Sequence, residues 1–290
     1  MTTAETDLPA AAPRAGTVFD IGYQRYDGPR EGRSHSRAAI VRDGIRIALG
    51  LGRGPRAKVL PWFFIVTLTF IAFVMALVAG AALLLGGQEA VDQLPSHSDF
   101  YGIASIILFV FAAVVAPELL CRDRRDGVMS LYLVRPITGT DYIVSRWIAF
   151  LIVTTAAAWL PQVVLLFGFV MANPQPLDYV AQNWLDIPRF LLAGLAMAAY
   201  ATTIAMLVAS FTTRRAYAAV FLVGLFVITT PFTTGLASEI DGPAGQWISM
   251  FNLTNIPVHV NDLIFHEQSE ITSEAPAAGL PASVLVAWYF

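Results

Sequence analysis

Charge is what this 290-residue sequence has least of. Asp, Glu, Lys and Arg make up 13% of it, against about 25% in an ordinary soluble domain. The few charges gather between long apolar runs, which excludes one large soluble core and marks a polytopic membrane chain. A single cysteine, Cys121, excludes an intrachain disulfide and a cysteine metal cluster. There is no Gly-x-x-x-x-Gly-Lys-Ser/Thr phosphate loop, so ATP hydrolysis would have to come from another chain. Neither His-Glu-x-x-His nor Gly-x-Ser-x-Gly occurs, which leaves a hydrolase without a visible catalytic group. Asp, Glu and His are missing from the span interiors, and that argues against coupling to an ion gradient. Residues 1–16 lack the basic start and apolar middle of a secretory signal. They read as a disordered tail, leaving insertion to the first span.

What is present is a series of apolar segments. A helix needs about 20 apolar residues to cross hydrocarbon, and five stretches qualify: Val59 to Gly87, Tyr101 to Leu120, Tyr142 to Met171, Pro188 to Phe211 and Ala216 to Leu236. A sixth begins near Leu280 and is still apolar at Phe290, so we expect it to continue beyond that residue. The basic residues fix the orientation. Ten of the 18 precede Val59; Arg122, Arg124, Arg125, Arg135 and Arg146 flank the connection after span two, and Arg214 and Arg215 follow span four. Only Arg189 falls on the other side. Seventeen against one predicts a cytoplasmic N-terminus in a multi-pass protein of the plasma membrane. The expected architecture is therefore all-α, with six transmembrane helices. Its divisions are a leader (1–33), an amphipathic helix and hinge (34–58) and a membrane domain (59–290).

From Ser34 to Leu51 the pattern is amphipathic: Val41, Ile45, Ala48 and Leu49 share a face, with Arg42 and Arg46 beside it. An interfacial helix hinged by Gly50, Gly52, Gly54 and Pro55 is expected, the alternative being a plain basic anchor. Gly194, Ala198, Ala201, Ala205 and Ala209 form a small-residue stripe for close packing in span four. Pro161 should kink span three or free a carbonyl. Thr154, Thr155, Gln162, Thr202, Thr203, Thr229 and Thr230 are uncharged polar side chains within the spans and candidates for lining a pathway.

The segment from Glu118 to Arg146 carries the most information. Between spans two and three it mixes both signs of charge, in Glu118, Arg122, Asp123, Arg125, Asp126 and Arg135, with Leu131, Tyr132 and Leu133. A tether needs no apolar centre. A short amphipathic helix ended by Arg135-Pro136 fits, offering apolar side chains and a charged rim to a partner. The alternative is a helix resting on lipid headgroups.

This segment resembles the coupling loop of the type-two ABC exporter permease family, at Glu118, Gly127, Leu131, Pro136 and Arg146. Val128 departs from the more usual Thr, and Arg146 from a common Lys. The run from Phe19 to Arg30 is similar to the leader of actinobacterial members. The resemblance implies a permease half with an entry helix, six spans, a cytoplasmic coupling helix after span two and an outer loop of short re-entrant helices. It also implies partners: a second permease half, identical or different, and two cytoplasmic ATP-binding subunits that hold the ATP and magnesium. This chain itself would bind no cofactor and no nucleic acid, and membrane lipid would be its remaining contact. A non-transporting scaffold that recruits a cytoplasmic partner is the other reading. The cargo is undetermined, though Thr-rich uncharged spans suit an amphipathic one.

Three further patterns look chemical. Asp123-Arg-Arg-Asp126-Gly127 starts like a CDP-alcohol phosphotransferase motif, but the required downstream Gly and Asp residues are absent. His259, Asp262 and His266 have a spacing that zinc could use; an amphipathic outer helix with incidental histidines explains them as well. Asn252-Leu-Thr254 matches a glycosylation sequon, a short pattern that recurs by chance.

Overall fold

A backbone in hydrocarbon satisfies its N–H and C=O groups along its own axis only as a helix, so each long apolar run forms one continuous helix. The computed structural model describes residues 28, 31–52, 54–86, 96–133, 137–240, 242–266 and 280–290. Among these there is no strand. The helices are α1 (Arg33–Ala48), α2 (Pro55–Gly86), α3 (His97–Arg125), α4 (Met129–Leu133), α5 (Gly139–Ala172), α6 (Pro176–Gln182), α7 (Asp186–Ser210), α8 (Arg215–Glu239), α9 (Pro243–Ser249), α10 (Ile256–Phe265) and α11 (Ala282–Tyr289). Five of them, α2, α3, α5, α7 and α8, are long and apolar enough to cross a membrane.

Two helix starts lie earlier than hydropathy alone places them. Ser96 caps α3 reciprocally: its hydroxyl accepts from the Asp99 N–H at 3.3 Å while the Asp99 carboxylate accepts from the Ser96 N–H at 2.9 Å. Thr138 and Asp141 repeat the arrangement at the start of α5. Such boxes fix the first turn whatever the polarity of its residues. As a result His97 becomes the first residue of a long apolar helix and is buried there, at the end of the span and not in its interior. Helix α5 runs unbroken through Pro161. The expected sixth span is represented by α11, eight residues that rise about 12 Å, less than a crossing. Its Tyr289 hydroxyl donates to the Ala196 carbonyl of α7 at 2.5 Å.

Helix α3 is the axis of the bundle, touching α2, α5, α7 and α8. In its most apolar window 67% of residues are buried, against 17% in α2 and in α8. Those two helices are therefore peripheral, and most of their apolar surface is uncovered. The small-residue stripe of α7 is buried throughout, as close packing requires.

The packed face of α1 overlaps the expected one and is centred one position earlier. Ile40, Gly44 and Ala48 are buried against α5 and α3, while Val41, Ile45 and Leu49 are half-buried beside them and Arg42 and Arg46 are exposed. Gly44 makes this contact possible, since a Cβ there would lie 2.6 Å from the Cβ of Ala149. The helix is thus docked on the bundle itself.

Candidate functional site

The basic ends of α1, α3 and α5 meet around one side chain. Arg146, on the second turn of α5, has no exposed surface. Its Nη2 donates to Asp123 Oδ2 at 2.6 Å and its Nη1 to Asp43 Oδ2 at 3.0 Å. The Tyr142 hydroxyl, one turn earlier, donates to the same Asp123 oxygen at 2.7 Å. The guanidinium also lies 5.5 Å from the centre of the Tyr142 ring. Asp123 is buried and Asp43 half-exposed, so one end of this three-helix bridge is dry and the other reaches water. A second tie joins α1 and α5: Arg33 Nε donates to Asp141 at 2.8 Å, and Arg37 pairs with the other oxygen of that carboxylate. Arginine suits the central position because its planar fork can hold two carboxylates at once.

The connection between α3 and α5 is built onto this bridge. Gly127 adopts φ +68, the left-handed conformation that ends α3 without a Cβ clash. Helix α4 follows. Its Tyr132 ring lies 5.4 Å from that of Tyr142, and burial, then the Asp123 carboxylate, push its hydroxyl up. Leu131 points outward and is 68% exposed. Arg122 and Arg125 both pair with Asp126. Arg135 and Pro136 lie outside the described residues, as does nearly all of the leader through Arg30. The turn between α7 and α8 closes the same end: Arg124 donates to the Ser210 carbonyl, Arg215 pairs with Glu118 at 2.5 Å, and the Cys121 thiol donates to the Thr212 carbonyl at 3.3 Å.

Sequence reasoning singled out the residues of the connection but not what they rest on. Asp43 and Tyr142 were not singled out, and Arg146 stood only as the opening of the next span. The available signal was an Arg within an apolar segment, which must find a counter-charge.

The polar residues of the spans are scattered. Thr154 and Thr202 are buried and hydrogen-bonded to each other at 3.3 Å between α5 and α7. Thr155 is also buried. Gln162 clasps His97, its Oε1 accepting from the ring Nδ1–H at 2.6 Å and its amide nitrogen donating to the His97 carbonyl at 3.1 Å. Thr203 accepts from the Trp147 indole at 3.1 Å, Thr229 bonds back to the Phe226 carbonyl, and Thr230 donates to Asn252 at 3.1 Å. Thr154, Gln162, Thr202 and Thr203 thus join helices in pairs, Thr230 ties α8 to the segment before α10, and Thr229 bonds within its own helix. At the far end α10 packs on α7 and α3, with His259 and Asp262 buried and His266 exposed in the turn after it. No group of three or more metal-ligating side chains stands together among the described residues. Asn252 is buried, its side chain accepting from the Thr254 N–H.

A family model described as ABC-2 family transporter protein matches residues 56–245. That span is well over half of the chain. The protein belongs to the ABC-2 transporter family. No curated protein matches it. The ABC-2 family supplies membrane transport subunits that work with ATP-binding partners, and this chain, with its five long apolar helices, is a multi-pass membrane protein. The matched region begins at the second residue of α2 and ends within α9. Helix α1 precedes it, so the Asp43–Arg146 pair ties α1 to the ABC-2 region.

Proposed function

We propose that this chain is the permease subunit of an ATP-driven exporter and that residues 118–146 are where a separate ATP-binding subunit acts on it. One observation carries the reading. An outward-facing Leu131 stands on a short helix whose next residue, Tyr132, rests on Tyr142, and Tyr142 shares Asp123 with Arg146. A push on α4 therefore meets the junction of α1, α3 and α5 within two side chains. The physics is that of two states of a packed bundle, biased by the nucleotide state of a bound partner. In this reading the partner pair holds the ATP and magnesium, a second permease half completes the pathway, and α1 moves with α4. The N-terminal segment and the connections after spans two and four, which hold 17 of the 18 basic residues in sequence, face the cytoplasm.

The test is purification from native membranes in mild detergent, followed by an ATPase assay on whatever accompanies the chain. We expect an ATP-binding subunit in equal copy number, with hydrolysis stimulated by the permease. Leu131→Asp should reduce that stimulation at least about tenfold, the effect of losing one apolar anchor of about 1.4 kcal/mol or more, while insertion is unchanged. A partner that binds without its hydrolysis responding to this chain would replace the transport reading with the scaffold one.

A further inference from the structure

A groove of about 510 Å³ opens at the basic end between the two peripheral helices, α2 and α8, with α3 as its floor. That volume lies within the range of about 300–1,000 Å³ usual for small-ligand sites. Leu60 and Pro61 form one wall, Val114 the floor and Ala219 the opposite wall. At one end it runs into a second, mainly polar recess of about 370 Å³; the two share Ala57, Glu118 and Arg215. The site is thus amphipathic along its length, apolar toward the middle of the bundle and charged at its end.

The charge at that end is unbalanced. Arg56, Arg122, Arg125 and Arg215 line the joined recesses against two carboxylates, Glu118 and Asp126. Asp126 already serves both Arg122 and Arg125, and Glu118 pairs with Arg215. Arg56 has no ion-pair partner among the described residues. The opening lies between helices that are 17% buried in their apolar windows and share no substantial contact. A ligand with an apolar tail can enter sideways, from hydrocarbon, without crossing the charged rim.

We propose that this groove seats one anionic glycerophospholipid, with its phosphate among Arg56, Arg122 and Arg215 and the start of an acyl chain along Leu60 and Ala219. The assignment stands on the groove and its charges alone and does not depend on the transport reading. An anionic headgroup supplies the charge that the recess lacks, and a zwitterionic one does not. The lipid also touches the end of α1, because Ile47 and Ala48 line the same groove.

The test uses the full chain in a mild non-ionic detergent and native mass spectrometry. Phosphatidylglycerol and phosphatidylcholine with identical acyl chains serve as probes. One phosphatidylglycerol per chain should survive activation that strips phosphatidylcholine. Arg56→Gln should weaken its retention about five-fold, the usual effect of one basic residue at an anionic surface, and Arg56→Lys should not. Ala219→Phe fills the apolar half and should abolish retention with every arginine in place. Equal retention of both lipids would overturn the proposal, as would phosphatidylglycerol retention that neither Arg56→Gln nor Ala219→Phe changes. Displacement by inorganic phosphate alone would make this a soluble-anion site instead. A lipid-free dimer that Ala219→Phe dissociates would show that a second copy covers the groove.

Discussion

A guanidinium with no exposed surface persists only if its charge is met, and at Arg146 two carboxylates and an aromatic face meet it. Removing one partner of such a buried pair leaves the other charge in low dielectric, at about 3–5 kcal/mol. Arg146→Leu is therefore expected to lower the thermal midpoint of the detergent-solubilised chain strongly. Tyr142→Phe removes only one hydrogen bond to the Asp123 carboxylate and should cost less, about 1.5–3 kcal/mol. Thermal unfolding followed by size-exclusion chromatography separates the two, and equal effects would mean that Arg146 is not the centre of the junction. This centre was only half readable beforehand. Leu131 and Tyr132 declare themselves as apolar residues in a charged connection. Asp43 does not, because its partner lies 103 residues away and nothing local in a basic amphipathic helix says what its one carboxylate will meet.

At the scale of elements, the long helices followed directly from apolar run length, since few alternatives satisfy a backbone in lipid. Their ends did not. The capping boxes Ser96 to Asp99 and Thr138 to Asp141 are written in the sequence, but hydropathy passes over them because their residues are polar. The same blindness hid the centre of the docked face of α1, where Gly44 counts as neither apolar nor polar yet sets how near α5 comes. Helix α10 supplies a test of burial. His259 is 4% exposed, its Nε2 has no hydrogen-bond partner, and burial lowers its pKa to about 4. A ring held neutral in the fold contributes fully above about pH 6.5 and loses that contribution as pH falls toward its folded value. The thermal midpoint should accordingly drop between pH 6.5 and 4, and His259→Leu should flatten that drop. An unchanged slope in the variant would place the acid sensitivity elsewhere.

For the molecule as a whole, the asymmetry of basic residues sets a testable orientation. In a Cys121→Ser background, Ser34→Cys and Thr213→Cys sit at the basic end and Gln175→Cys at the opposite one. A membrane-impermeant thiol reagent should label Gln175→Cys in intact cells and the other two only after permeabilisation; the reverse pattern would invert the proposed topology. Five crossings could be read from composition because each is a local property of about 20 residues. How they pack could not. That α3 becomes the axis while α2 and α8 stay peripheral depends on side-chain fit between segments far apart in the chain.

The span of 103 residues between Asp43 and Arg146 has a consequence in time. Helix α1 leaves the ribosome before either of its ionic anchors exists, and at about 5–20 residues per second it waits on the order of 5–20 s for α5 to follow. Its docking is therefore a late event of biogenesis, and until then α1 is open to lipid, chaperone or protease.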